Sequence, residues 1–213
     1  MTEGFKVTIE AWPNGGAIPE RYAFCKPATE GHITMSDNVS PPIQWSGAPA
    51  GTQSFAILCH DPDVPSAADD VNQEGKVVPA SLPRVTFYHW VLVDIPAHVS
   101  GLAEGADSQG ITAGGKALGA TPNGVRGLNN YTDWFANDEA MKGDYGGYDG
   151  CCPPWNDELL HHYHFTVYAL DVPTLGLTGR FGGPEALAAM EGHVLAKDTW
   201  VGTYSLNPAV RQT

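Results

Sequence analysis

A single, mainly β domain is predicted by three observations. Glycine (25) and proline (17) are abundant for 213 residues, the composition of a turn-rich chain. Residues 5–11 and 85–95 carry strand signatures, the first by strict polar/apolar alternation and the second by β-branched and aromatic content. Only 184–196 shows the period of an amphipathic helix. The length suits one hydrophobic core, and no internal repeat or linker divides it.

In order along the chain, FKVTIEA at 5–11 predicts an opening edge or hairpin strand, ended by the turn WPNGG at 12–16. A second short strand is expected over 21–27. Residues 40–51 read as extended chain between turns, with Trp45 in the core. SFAILC at 54–59 predicts a buried strand that delivers His60-Asp61-Pro62-Asp63-Val64-Pro65-Ser66 at its end. Residues 67–83, polar and without periodicity, read as an exposed insertion. VTFYHWVLVDI at 85–95 predicts a central strand on which alternation puts His89 with Phe87, Val91 and Val93. The Gly-rich stretch 101–147 reads as a second insertion, a lid or rim ordered in part by Tyr131, Trp134, Phe135 and Tyr145. Pro184, Leu187, Met190 and Val194 predict one helix over 184–196, and 197–206 a closing strand.

Eleven basic against twenty-four acidic side chains give a net charge of −13, which argues against nucleic acid and anionic membrane surfaces as partners. No apolar run approaches the ~20 residues of a membrane span, and the first residues do not resemble a secretion signal. Cys151 and Cys152 are adjacent, and Cys25 and Cys59 lie far apart in sequence, so no disulfide framework is implied. Free thiols fit a cytoplasmic protein.

Three of the eight histidines fall in His161-His162-Tyr163-His164. Strand alternation puts His161 and Tyr163 on one face and His162 and His164 on the other, so the cluster cannot serve one site. His161 and Tyr163, about 7 Å apart along a strand, suit gripping one small anion. Asp61 and Asp63, between prolines at a strand end, either serve a site or cap their own turn by Asx-type hydrogen bonds. His89 alone reads more readily as a hydrogen-bonded core residue than as a ligand-binding one.

The blocks Asp61-Pro62-Asp63-Val64-Pro65-Ser66, Tyr88-His89-Trp90, Gly150-Cys151-Cys152-Pro153-Pro154, Leu160-His161-His162-Tyr163-His164-Phe165, the stretch 189–196 and Gly202-Thr203-Tyr204 occur in this order. In them the chain resembles the phosphatidylethanolamine-binding protein family, specifically its bacterial, Raf-kinase-inhibitor-like branch. The resemblance implies an antiparallel β-sandwich with peripheral helices and a pocket for phosphate-like or carboxylate anions, phospholipid headgroups included. It maps the pocket onto Asp61, Asp63, Pro65, His89, Cys152, Pro153, Pro154, His161 and Tyr163. His89 and His161 would donate to the anion, Asp61 would fix a histidine tautomer, Tyr163 would offer its hydroxyl and the prolines would stiffen the rim. A regulatory protein partner, a kinase or protease, and a homodimer are implied by the resemblance alone.

Two departures stand out: Cys151 replaces the proline of the branch's usual Gly-Pro-Cys-Pro-Pro, and His162 stands where many relatives carry arginine. The expected protein is a binding protein without catalytic residues, cofactor or metal. The rival is a metal-dependent hydrolase using His89, His161, Asp61 and Asp63. A nucleophilic Cys152 with His161 as base, a redox-sensitive Cys151/Cys152 pair, and an interaction module working through 101–147 are further readings.

Overall fold

The longest strands belong together. In the computed structural model, which describes residues 4–211, β6 (Ser54–Pro65), β7 (Arg84–Pro96), β11 (His161–Leu170) and β12 (Val194–Tyr204) form the middle of a seven-stranded sheet. Its order is β2 (Gly16–Ala17), β12, β11, β6, β7, β10 (Gly124–Arg126), β9 (Gly119–Thr121). The four long strands run antiparallel to their neighbours, and only the short β2 pairs in parallel. A three-stranded sheet, β1 (Lys6–Thr8), β5 (Ile43–Ser46) and β8 (Gly101–Leu102), and a hairpin of β3 (Cys25–Pro27) and β4 (Ile33–Met35) complete the β structure.

Period-2 alternation gives the large sheet two buried faces. Phe55, Ile57, Cys59, Trp90, Leu92, Phe165 and Val167 point into the main core with Val7, Ile43 and Trp45 from the small sheet. Ala56, Leu58, Val91, Val93 and Leu170 point the other way and are covered by Phe181, Ala186 and Met190. The molecule is thus a sandwich with one helix packed outside, as expected for a mainly β chain.

Several expectations are corrected. The helix α2 spans only Gly183–Met190 and buries Gly183, Ala186 and Met190, while Leu187 and Val194 are exposed. Chain continuing past it enters β12 at Val194, because sheet pairing with β11 outweighs the apparent helical period. Gly183 lies so close to the ring of Tyr88 that a Cβ there would sit 2.4 Å from it. The stretch 101–147, read from sequence as a lid or rim ordered in part by aromatics, contains β8, β9, β10 and a four-residue helix α1 (Tyr131–Trp134), and of those aromatics Tyr131 and Tyr145 are buried in the main core. Cys25 and Cys152 are joined by a disulfide, with Cα atoms 4.9 Å apart across 127 residues of sequence. Distance in sequence was no guide to distance in space. Only Cys59 and Cys151 remain free, both buried, so the thiol argument for the cytoplasm falls away, disulfides of this kind being typical of oxidising compartments.

Candidate functional site

The β6–β11 ladder begins at His164 opposite His60. Beyond that pair the two strands part, and a cavity of about 220 Å³ opens between their ends, the β3–β4 hairpin, α1 and the Gly150–Pro154 turn. Its wall is mostly apolar: Phe24, Ile33, Met35, Val64, Phe87 and Phe135 are among the lining residues. Among the described residues, no lysine or arginine lines it.

Eight of the nine residues named from sequence line this cavity: Asp61, Pro65, His89, Cys152, Pro153, Pro154, His161 and Tyr163. Asp63 does not. Its carboxylate accepts hydrogen bonds from the backbone N–H and ring Nδ1 of His162, both 2.9 Å, on the outer side of the strands. Asp61 meanwhile does both things considered for it. Its Oδ1 accepts the Asp63 backbone N–H at 2.7 Å, an Asx-type turn, and its Oδ2 accepts from His161 Nδ1 at 2.6 Å.

His89 reaches the cavity by a route that alternation does not give. The β6–β7 register slips between Cys59 opposite Trp90 and His60 opposite Tyr88, leaving His89 as a bulge residue. Phe87, His89 and Trp90 consequently share one side, while Val91 and Val93 lie on the other. A bulge turns one extra side chain toward a chosen face. The ring Nδ1–H of His89 donates to the Asp149 carbonyl at 2.8 Å. Burial, partly offset by the charge of Asp61, holds its pKa below the ordinary value, so the ring is neutral and its Nε2 carries a lone pair.

His161 is the opposite case. Its Nε2–H donates to Asp157 Oδ2 at 3.1 Å while Nδ1–H donates to Asp61. Burial acts to lower its pKa, but hydrogen bonds and charge from Asp157 and Asp61 prevail and raise it to about 9. The ring is therefore an imidazolium with both donors used. Asp157 is further gripped by Arg84, with Nη1 to Oδ2 at 2.5 Å and Nη2 to Oδ1 at 3.0 Å. Despite burial, these donors hold the Asp157 carboxyl below its ordinary range. Asp61, His161, Asp157 and Arg84 form a chain of alternating charge that sums to zero. Asp157 and Arg84 were missed from sequence. The one available signal was the placement of Asp157 four residues before His161.

Two polar groups facing the cavity remain unengaged. The Tyr163 hydroxyl is buried and, among the described residues, has no hydrogen-bond partner, although the Cys151 thiol lies beside it. Burial and the nearby negative charge of Asp61 keep that hydroxyl protonated at any ordinary pH. The second is His89 Nε2, which makes no side-chain hydrogen bond among the described residues although a Gly150 backbone group also lies beside the ring; the ring stands edge-on to Tyr163 with centroids 5.2 Å apart. Behind them, Tyr131 donates to the Gly150 carbonyl at 2.6 Å and so ties α1 to the cysteine turn. Gly150 is required there, since a Cβ would fall 2.1 Å from the Tyr22 carbonyl.

Neither enzymatic reading assembles. His161 spends both nitrogens as donors to carboxylates and Asp63 faces away, so the proposed metal set of His89, His161, Asp61 and Asp63 does not converge. Cys152 is in a disulfide, and burial pushes the Cys151 thiol well above its ordinary pKa.

A family model for phosphatidylethanolamine-binding proteins matches residues 8–205. A UPF0098 protein of Methanothermobacter thermautotrophicus is 30% identical over 194 residues, covering 91% of this chain and 94% of the relative. The UPF0098 protein YbhB of Escherichia coli is 30% identical over 192 residues, 90% and 94% of the respective chains. The crystal structure of CT736 from Chlamydia trachomatis, a phosphatidylethanolamine-binding protein homologue, superposes with a TM-score of 0.64 at 27% identity, covering 95% of this chain and 97% of that one. E. coli YbcL, described as a new member of the mammalian family, shares the fold with a TM-score of 0.67 at 24% identity, covering 95% and 99%. With a family match over nearly the whole chain and a cavity built from the family's blocks, this protein belongs to the phosphatidylethanolamine-binding protein family.

Proposed function

We propose that the chain is a binding protein whose cavity takes a small anionic group, phosphate or carboxylate, carried on an apolar substituent. The observation that carries this reading is the pair of open polar groups in an otherwise satisfied wall. A buried hydroxyl without a partner is costly to leave unmade, by about 1–3 kcal/mol, and a ligand oxygen accepting from Tyr163 would recover that cost. His89 Nε2 is the second contact, accepting from a protonated ligand oxygen or, once protonated, donating to an ionised one.

His161 has a different part from the one first expected of it. With both N–H groups held by carboxylates it positions Asp61 and the strand ends and leaves the ligand to its neighbours. Because the Asp61–His161–Asp157–Arg84 chain is neutral, an incoming monoanion is balanced by one proton taken up on His89. The apolar wall suits the remainder of the ligand. A phospholipid headgroup and a free phosphorylated or carboxylated metabolite share this chemistry. A regulatory action on a kinase or protease, and homodimerisation, rest on family resemblance alone.

The test is calorimetric titration with phenyl phosphate, inorganic phosphate and short-chain phosphatidylethanolamine. Tyr163→Phe deletes one oxygen and is expected to weaken all binding about tenfold, the ~1.4 kcal/mol of one hydrogen bond to a charged group, without loss of fold. His89→Gln is expected to weaken it at least as much. Affinities unchanged in both variants would overturn the assignment, and the ranking of the three probes separates lipid from free anion.

A further inference from the structure

On the opposite face of the large sheet lies a second histidine group that the anion cavity does not use. His60 and His164 are directly opposed residues of the antiparallel β6–β11 pair, and their rings stack with centroids 5.0 Å apart and planes 19° apart. Tyr88 flanks them, its ring 6.1 Å from that of His60. His162 stands two residues before His164 on the same face, its ring turned to Asp63.

The hydrogen bonding of these rings sets them apart. Of the eight histidines, His32, His89, His161, His162 and His193 each bond a carboxylate or carbonyl. His98 is exposed. His60 and His164 are both partly buried and, among the described residues, neither ring bonds a protein group. Their neighbours are also unfavourable to protonation. Burial and then the charge of the other histidine lower the pKa of His60, while burial and then His162 lower that of His164. Asp61 opposes this at His60, and Asp63 and Asp61 oppose it at His164. Two neutral imidazoles, side by side and without partners, are held together by the backbone ladder.

We propose that His60 and His164 form a cross-strand chelate for a first-row divalent transition metal, with copper(II) preferred over nickel(II) and zinc(II). An ion bound at the usual 2.0–2.1 Å needs the two nitrogens about 3 Å apart. Turning two rings about their broad terminal torsions from the stacked arrangement brings the nitrogens together without moving the strands. Imidazole nitrogen suits these metals, and copper(II) heads the affinity order among them. No three His, Cys, Asp or Glu side chains form a ready cage among the described residues. The chelate is therefore bidentate, with water in its open positions, and His162 stays on Asp63. Alternation separates the site from the cavity, since His161 and Tyr163 point to the other side of the sheet.

The experiment titrates the full chain with Cu²⁺ and with Ni²⁺ in a non-coordinating buffer near pH 7.5, by calorimetry and by paramagnetic broadening of histidine ring signals. One equivalent is expected to bind and to broaden His60 and His164 first. His60→Gln and His164→Gln, both at partly exposed positions, should each weaken binding tenfold or more. His193→Gln should not. His162→Gln should have an effect smaller than either. Absence of saturable binding, broadening centred on another histidine, or full affinity in both His60→Gln and His164→Gln would overturn the proposal. Phenyl phosphate binding in the same variants is expected to be unchanged, so failure here is distinguishable from failure of the anion cavity.

Discussion

Replacing His161 by glutamine gives the sharpest reading of the charge chain beneath the cavity. The imidazolium bridges Asp61 and Asp157, both almost wholly buried. Its pKa stands at about 9 against an ordinary 6.5, and at 1.36 kcal/mol per pH unit the protonated form is worth roughly 3 kcal/mol of folding stability. Because the folded value is the higher one, this contribution is complete below about pH 6.5 and is lost as pH rises through about 9. Glutamine leaves two buried carboxylates without their shared cation, a change that costs about 3–5 kcal/mol near neutrality. Urea unfolding at steps from pH 6 to pH 10 measures the gap between parent and variant. It should be widest at pH 6 and narrow by roughly 3 kcal/mol toward pH 10. Titrations of lysines and tyrosines elsewhere are common to both proteins and cancel. Parallel stability curves across that range would refute the view that His161 is charged in the fold.

Reduction of the Cys25–Cys152 bridge, which closes a loop over 127 residues of sequence, is expected to lower stability by up to about 5 kcal/mol on the chain-entropy account. Thiol titration of unfolded, unreduced protein should detect only Cys59 and Cys151; four reactive thiols would remove the bridge. Gly150→Ala should destabilise by more than ~1 kcal/mol and weaken anion binding as well, because its Cβ collides with the Tyr22 carbonyl in the turn that forms the rim. Binding of phenylacetate, a carboxylate fully ionised above pH 6, should strengthen as pH falls toward 6, since His89 gains a proton in the complex that burial denies it in the free protein. A flat profile in the parent chain would contradict that linkage, and a flat profile is the outcome expected for His89→Gln.

How much of this was legible in the sequence depended on whether the backbone was regular. Along β11 it is: the ladder with β12 is unbroken from His161 to Ala169. Period-2 alternation therefore assigned His161 and Tyr163 to one face and His162 and His164 to the other, as the structure has them. Alternation failed at His89, where a slipped register inserts one residue and sets the ring beside Phe87 and Trp90. It could say nothing of Asp63, which a second slip, between Asp61 and Val64, swings to the outer side. The helix over 184–196 was half legible, because Leu187 and Val194 imitate a helical face that no neighbour covers. The disulfide and the Arg84–Asp157 pair were invisible, since pairings across 127 and 73 residues are set by the topology of the sheet.

These failures have a spatial pattern that bears on how the site is made. A regular ladder spends every backbone donor and acceptor on its neighbour and shows each face a fixed set of side chains, so it cannot gather polar groups from three strands around one point. The slips at His60 and between Asp61 and Val64, together with the parting of β6 and β11 beyond His164, interrupt that economy at the cavity end of the sheet, while the slips between Phe55 and Ile57 and between Ala169 and Leu170 lie at the other end. There His89 is turned inward, Asp61 reaches His161, and the Asp63 carboxylate takes up a strand N–H left without its ladder partner. Inward of these slips, where pairing from Ile57 to Cys59 is regular, the same strands carry apolar side chains such as Ile57, Leu92, Phe165 and Val167 into the core. Irregularity by itself does not mark the cavity, since slips also occur at the far end of the sheet; it does so where it coincides with the polar residues Asp61, His89 and His161, whose placement the broken register makes possible.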